Sequence, residues 1–134
     1  MELDIILLDT FVMIDYFRKT DKSNSFFEKL LKLKKGFCFS VITHFEIMIG
    51  SNEKQKSVWK LILDDIFLID FHTQVSNTAV KVLRELKAIN KLIPFQDIAI
   101  GATALHYNYP PATINEKHFK NISNIKLLTP GIFA

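Results

Sequence analysis

The chain has 134 residues, of which 49% are hydrophobic, and it carries one cysteine and a formal net charge of +3. This composition excludes a disordered protein and predicts one domain, residues 1–134, with a substantial core. No apolar run is long enough for a membrane span and no signal-peptide pattern occurs, so we expect a cytoplasmic protein. Cys38 has no partner for an internal disulfide and sits in an apolar strand pattern.

Runs of apolar residues alternate with helical patterns along the whole chain. Strands are predicted at 4–9, 37–40, 66–70, 111–114 and 125–128. Helices are predicted over 11–18, 24–34, 41–49, 53–64, 74–90 and 97–107. Short apolar strands separated by helices are typical of parallel sheets covered on both faces. The sequence therefore predicts an α/β sandwich with a mainly parallel central sheet.

The first apolar run, Ile5 to Leu8, ends at Asp9. Ligand-binding groups of parallel α/β sheets gather at the carboxyl ends of strands, where Asp9 is expected. By itself, however, an acid in this place is more simply explained as the N-cap of the following helix.

Glu46 lies in a predicted helix that Ser40 caps and Gly50 ends. Its neighbours on the helix are apolar, and a carboxylate in apolar surroundings is costly without a partner. Either a metal ion or a nearby Lys or Arg would satisfy it.

Asp97 opens an alanine-rich helix three residues after Pro94. The helix dipole favours an acid in this first turn whether or not it binds a ligand. The small residues that follow would let this helix approach the sheet closely.

Two other helices, 24–34 and 53–64, carry more apolar residues than one buried face requires, among them Phe26, Trp59 and Leu61. Either a protein partner covers the excess, or these helices are buried deeply in the core of the domain.

Four phrases in this order resemble the PIN domain family, and most closely its VapC-type toxin ribonucleases. They are DTFVMIDYFR, SVITHFEIMIG, DIAIGATAL and ATINEKHF, and they extend over residues 9–119. The resemblance implies a PIN-like three-layer sandwich with catalytic Asp9, Glu46, Asp97 and Asn115. Asn115 departs from the Asp that many members have, and Phe11 replaces a small polar residue. Thr10 matches the family pattern and is expected to orient the carboxylates through a hydrogen bond.

Clustered carboxylates repel one another unless a cation neutralises them, and oxygen ligands without thiolates suit Mg²⁺ or Mn²⁺. The resemblance implies that Asp9, Glu46 and Asp97 bind this metal and that RNA is cut internally, leaving 5′-phosphate and 3′-hydroxyl ends. It also implies a homodimer and a cognate antitoxin that covers the acidic site. Lys117 and His118 are expected to contact the RNA, although a structural hydrogen bond is the simpler role for His118.

Two other classes of protein compete with an enzyme of this kind. Phe11 and Asn115 also fit a catalytically degenerate PIN-like module that binds RNA or protein. A phosphate-accepting receiver domain is disfavoured, because Asp9 has no adjacent acid and the second predicted strand ends in Ser40. A phosphatase with an Asp-x-Asp motif is disfavoured because position 11 is Phe.

Overall fold

A computed structural model describes residues 5–133 and contains a four-stranded sheet in the order β3-β2-β1-β4, with every neighbouring pair parallel. The strands are β1 (Ile5–Leu8), β2 (Gly36–Ser40), β3 (Phe67–Ile69) and β4 (Pro111–Ala112). Leu7 of β1 lies between Cys38 of β2 and Pro111 of β4. The predicted α/β fold with a parallel sheet is confirmed.

Seven α-helices connect and cover these strands in the part of the chain that is described. They are α1 (Thr10–Arg18), α2 (Phe26–Leu31), α3 (Val41–Ile49), α4 (Glu53–Leu63), α5 (Thr73–Ala88), α6 (Phe95–Tyr107) and α7 (Glu116–Phe119), and short 3-10 helices cover Lys22–Asn24 and Pro130–Phe133. The predicted ends of α3 are confirmed, since the Ser40 side chain accepts a hydrogen bond from the Ile42 amide and Gly50 follows the last turn.

Three elements differ from the sequence prediction. The strand predicted at 125–128 is reduced to a single bridge between Leu128 and Ala112, because β4 itself is only two residues long. The helix predicted over 24–34 ends at Leu31, and Lys34 then adopts a left-handed conformation with φ of 54°. Helix α7 was not predicted, and Asp4 of the first predicted strand lies outside the described residues.

Each face of the sheet carries its own core. In a strand successive side chains point to opposite faces, so Ile6 and Leu8 join one cluster and Leu7 joins the other. The first cluster is rich in aromatic residues from α2, β2 and α4, and the second is built mainly from aliphatic residues of α5 and α6. Sheet and helices therefore form three layers.

The excess apolar residues of the two helices are mostly core residues. Phe26, Phe27 and Trp59 are buried in the aromatic cluster. Of the two interpretations of these helices, burial in the core of the domain therefore accounts for these three residues. Leu61 differs, because 72% of it is exposed. Cys38 is a buried free thiol, as its strand pattern predicts.

Helix α6 packs tightly against the C-terminal segment at Gly101. A Cβ atom at this position would lie 2.7 Å from Cδ1 of Ile122, closer than ordinary packing allows. Buried Ala99, Ala102 and Ala104 keep the same helix narrow. The small residues thus bring α6 close to Ile122 in the segment after α7, whereas the close approach expected from the sequence is to the sheet. Within residues 5–133, no helix is both long and apolar enough to cross a membrane.

Candidate metal-binding acidic centre

Asp9 is the most deeply buried acid of the candidate site, with only 1% of its surface exposed. It follows β1 and occupies the N-cap position of α1, yet its side chain makes no capping hydrogen bond. Instead, Thr113 Oγ1 donates a hydrogen bond of 2.7 Å to Asp9 Oδ2. Asp9 therefore has the position of an N-cap residue but not its usual hydrogen bond, since its carboxylate contacts Thr113 in the segment after β4.

The second oxygen of this carboxylate, Asp9 Oδ1, is buried without a hydrogen-bond partner among the described residues. Burial raises the pKa of the Asp9 carboxyl to about 6, against the opposing effect of the Thr113 hydrogen bond. The charges of Asp97 and Glu46 raise the pKa further. Asp97 and Glu46 thus both lie within electrostatic reach of Asp9, and no Lys or Arg among residues 5–133 forms an ion pair with the Asp9 carboxylate.

Asp97 lies in the first turn of α6, close to α7. Its Oδ2 atom lies 2.5 Å from Nδ1 of His118, and the same ring nitrogen lies 2.9 Å from Nδ2 of Asn115. Burial raises the pKa of Asp97, and the hydrogen bond and charge of His118 oppose this rise. Because Nδ1 cannot donate to Asp97 and accept from the Asn115 amide at the same time, the tautomer of His118 decides which of the two contacts is a hydrogen bond.

Glu46 is half-buried on α3 and is held by α1. Thr10 Oγ1 donates a hydrogen bond of 2.9 Å to Glu46 Oε1, and it lies 3.2 Å from Thr43 Oγ1. Thr10 therefore orients a carboxylate, which is the kind of contact expected of it from the sequence. Of the two partners proposed for Glu46, no Lys or Arg forms an ion pair with it in the described residues.

The remaining predicted residues fall into different places. Asn115 contacts His118 and not a carboxylate, so its side chain supports the acids indirectly. His118 holds Asp97, which is the structural hydrogen bond that the sequence made the simpler role. Lys117 is exposed and available to solvent. Thr113 was missed, although its place directly after β4 in the phrase ATINEKHF was the available signal.

The oxygen atoms of Asp9, Glu46 and Asp97 are of the kind that binds a hard divalent cation, although the three carboxylates do not yet lie at metal-binding distances from one point. Within residues 5–133, no three His, Cys, Asp or Glu side chains already converge in a geometry that would hold a metal ion. The charges of Asp97 and Glu46 nevertheless repel the Asp9 carboxylate, whose Oδ1 has no partner among the described residues. The polar groups that contact these acids from Thr10 and Thr113 are hydroxyls, so the atoms around the site are mainly oxygens. Mg²⁺ and Mn²⁺ prefer such carboxylate oxygens.

Comparison with known proteins identifies the family of this fold and site. The PIN domain family matches residues 6–125, which include all the acids described above. The chain belongs to the PIN domain family. The resemblance inferred from the four sequence phrases is therefore confirmed.

Two curated relatives of this PIN domain are ribonucleases. Ribonuclease VapC1 of Methanocaldococcus jannaschii is 32% identical over 123 residues, which cover 91% of this chain and 84% of that protein. Ribonuclease VapC of Rickettsia bellii is 36% identical over 62 residues, or 46% of each chain.

Solved VapBC structures contain the same fold. VapBC2 of Rickettsia felis, bound to a promoter DNA fragment, gives a TM-score of 0.81 at 25% identity, covering 93% of this chain and 98% of that one. DNA-bound VapBC of Salmonella typhimurium gives a TM-score of 0.83 at 21% identity, with coverages of 96% and 98%. The PIN domain described here is thus similar to VapC proteins along nearly its whole length.

Proposed function

We propose that this PIN domain is a metal-dependent endoribonuclease of the VapC type, with Asp9, Glu46 and Asp97 binding Mg²⁺ or Mn²⁺. The carrying observation is the buried Asp9 carboxylate, whose Oδ1 has no partner in the described residues while two other acids repel it. A carboxylate in this state is unfavourable for folding, and a divalent cation removes the cause. The ribonuclease names of the curated relatives support RNA as the substrate.

Each side chain of the site has a separate task in this proposal. Thr113 occupies Asp9 Oδ2, so Oδ1 is the atom left to face a cation. Thr10 fixes the direction of Glu46, and His118 fixes that of Asp97. A bound Mg²⁺ or Mn²⁺ would supply orientation of the phosphodiester, activation of water and stabilisation of the leaving oxygen. Asn115 acts through His118 and not on the substrate.

The proposed partner is an antitoxin of the VapB type. Its support is the likeness to VapBC2 of Rickettsia felis at 25% identity, because VapBC is described as a family of toxin–antitoxin systems. In this proposal the antitoxin would keep the acidic centre from RNA until it is removed. Binding would then abolish cleavage without any change in the acids themselves.

Cleavage of a mixed RNA pool by the purified protein tests the activity. We expect cutting with Mg²⁺ or Mn²⁺, none with EDTA, and none with Glu46→Gln, which keeps the acceptor for Thr10 but removes the charge. Glu53→Gln is the matched control, because the Glu53 side chain is 93% exposed and its ion pair among residues 5–133 is with Lys56 at 3.3 Å. Normal RNA binding without cutting by folded protein would favour the degenerate PIN-like module, for which Phe11 and Asn115 are the motivating residues.

A further inference from the structure

An open groove of about 290 Å³ lies along one side of α1. Four of its residues have the spacing i, i+3, i+4 and i+7, which places them on one face of the helix. The residues of this α1 groove are Phe11, Ile14, Asp15, Arg18, Lys19 and Ile114. None of these six residues takes part in the proposed metal binding, and the groove combines an aromatic and aliphatic surface with two basic side chains.

The groove begins next to the acidic centre. Phe11 is the second residue after Asp9, and Ile114 separates Thr113, which binds Asp9, from Asn115. Arg18 lies at the other end of α1, roughly 10 Å away at the 1.5 Å rise per residue of an α-helix. A molecule lying in the groove would therefore extend directly from the acids to Arg18.

Phe11 offers a partly open aromatic surface at the near end. Its side chain is 42% exposed although neighbouring Val12 and Met13 are fully buried. Ile14 and Ile114 extend this apolar surface. Unpaired bases stack on exposed aromatic side chains in single-stranded RNA complexes, and this stacking tolerates any base.

The far end of the groove is positively charged. Arg18 forms no ion pair within residues 5–133, whereas Asp15 is engaged both by Lys19 at 3.7 Å and by the Phe26 amide at 3.2 Å. The acid that lines the groove is thus engaged by Lys19 and by a backbone amide, and it does not pair with the guanidinium of Arg18. Arginine contacts phosphate through a planar set of donors.

We propose that the α1 groove holds single-stranded RNA beside the acidic centre, with one unpaired base stacked on Phe11 and a phosphate of the same strand contacted by Arg18. This inference rests on the proposed ribonuclease function and names the form of its substrate. Phe11 is then a substrate-positioning residue, and its 42% exposed aromatic ring is the surface on which the base stacks.

Binding of fluorescein-labelled, ten-nucleotide single-stranded RNA of random sequence tests the groove. Fluorescence anisotropy is measured in EDTA, in an Asp97→Asn background, so that no cutting occurs. We expect Phe11→Leu to weaken binding about fivefold or more, the effect of losing one base–aromatic stack, and Phe11→Tyr to retain it. Arg18→Gln should lower the slope of log K against log salt by about 0.7, the value for one phosphate contact with a single strand.

Matched controls are available elsewhere in the chain. Phe67 on edge strand β3 is 47% exposed, and Arg84 lies exposed on α5, so Phe67→Leu and Arg84→Gln should leave both affinity and salt slope unchanged. A base-stacking signal from RNA containing 2-aminopurine should be lost in Phe11→Leu and kept in Phe67→Leu.

Failure of the groove and failure of the enzyme give different results. Unchanged affinity in both Phe11→Leu and Arg18→Gln, from a chain that still cuts RNA, overturns the inference and assigns the groove to another occupant, such as the antitoxin. A parent chain that neither binds nor cuts RNA overturns the proposed function as well. Weaker binding in the two variants, from a parent chain that binds RNA without cutting it, supports the groove and removes only the enzyme.

Discussion

The acidic centre and the aromatic cluster on one face of the sheet show opposite uses of burial. In the aromatic cluster, Phe27 packs edge-on against Tyr16 and Phe37, with ring centroids 5.4 and 5.9 Å apart. In the acidic centre, Asp9 is just as buried, but one of its oxygens has no hydrogen-bond partner among residues 5–133. Burial of rings stabilises the fold, whereas burial of an unneutralised carboxylate opposes it. This difference is what supports the proposal that a divalent cation binds at the acidic centre.

The largest effect is expected from breaking the stabilising region. Phe27→Ala should lower the free energy of unfolding by about 3–5 kcal/mol, the usual loss for a buried Phe. Urea unfolding measures this change, and cleavage per folded molecule should stay unchanged. Leu61→Ala is the control, because the 72% exposed Leu61 should cost no more than about 0.5 kcal/mol. Equal losses in the two variants would contradict the assignment of Phe27 to the core.

The next largest effect is expected on activity, from removing one charge of the acidic centre. Asp97→Asn should reduce cleavage by at least about 100-fold, beyond the loss typical of groups that only orient ligands. Circular dichroism should show an intact fold, since the amide can still contact His118. Asp70→Asn is the matched control, because Asp70 is an exposed acid directly after β3. Full activity of folded Asp97→Asn would remove Asp97 from the mechanism.

A smaller effect is expected from the group that orients Glu46. Thr10→Val keeps the shape of the side chain but removes the hydroxyl that donates to Glu46 at 2.9 Å. Loss of such an orienting contact typically lowers metal affinity or activity about 10- to 100-fold. Cleavage rates over a Mg²⁺ titration measure it, and Thr10→Ser should restore most of the rate. A Val variant as active as the Ser variant would show that the hydroxyl has no orienting role.

The smallest effect is expected from Asp9→Asn, which removes the buried charge and so makes the acidic centre as uncharged as the aromatic cluster. The pKa of Asp9 is about 6 in the folded chain and 3.8 in its ordinary state, so the folded chain binds this proton more tightly. Stability contributed by the protonated acid is therefore lost as pH rises from about 4 through 6. Asp9→Asn should raise the free energy of unfolding by about 1–3 kcal/mol at pH 8 in EDTA. At pH 4 the gain should be small.

Urea unfolding at the two pH values measures this gain. Asp70→Asn, which neutralises an exposed acid, should show no comparable pH dependence. An equal effect of Asp9→Asn at pH 8 and pH 4 would mean that the ionised carboxylate is not the source of the instability.

The sequence alone was sufficient for the fold class and for most element positions. Apolar runs predicted the four strands β1 to β4, and helical spacing predicted the six longer helices α1 to α6, because buried strands and helices each leave a characteristic pattern of apolar residues. The strand predicted at 125–128 was wrong, since an apolar pattern does not reveal that its neighbour β4 pairs over only two residues. Local caps such as Ser40 were readable because they act within a few residues.

The acids of the site and the orienting role of Thr10 were predicted from short phrases, whereas the contact between Thr113 and Asp9 was not. Asp9 and Thr113 are separated by 104 residues, and Asp97 meets His118 across a separate helix, so no local pattern reports these contacts. The sequence determined which carboxylates the chain carries and at which strand or helix each one stands. Only the tertiary structure decided which oxygen stays unpartnered, because this depends on where distant hydroxyl and imidazole groups come to lie once the sheet has formed.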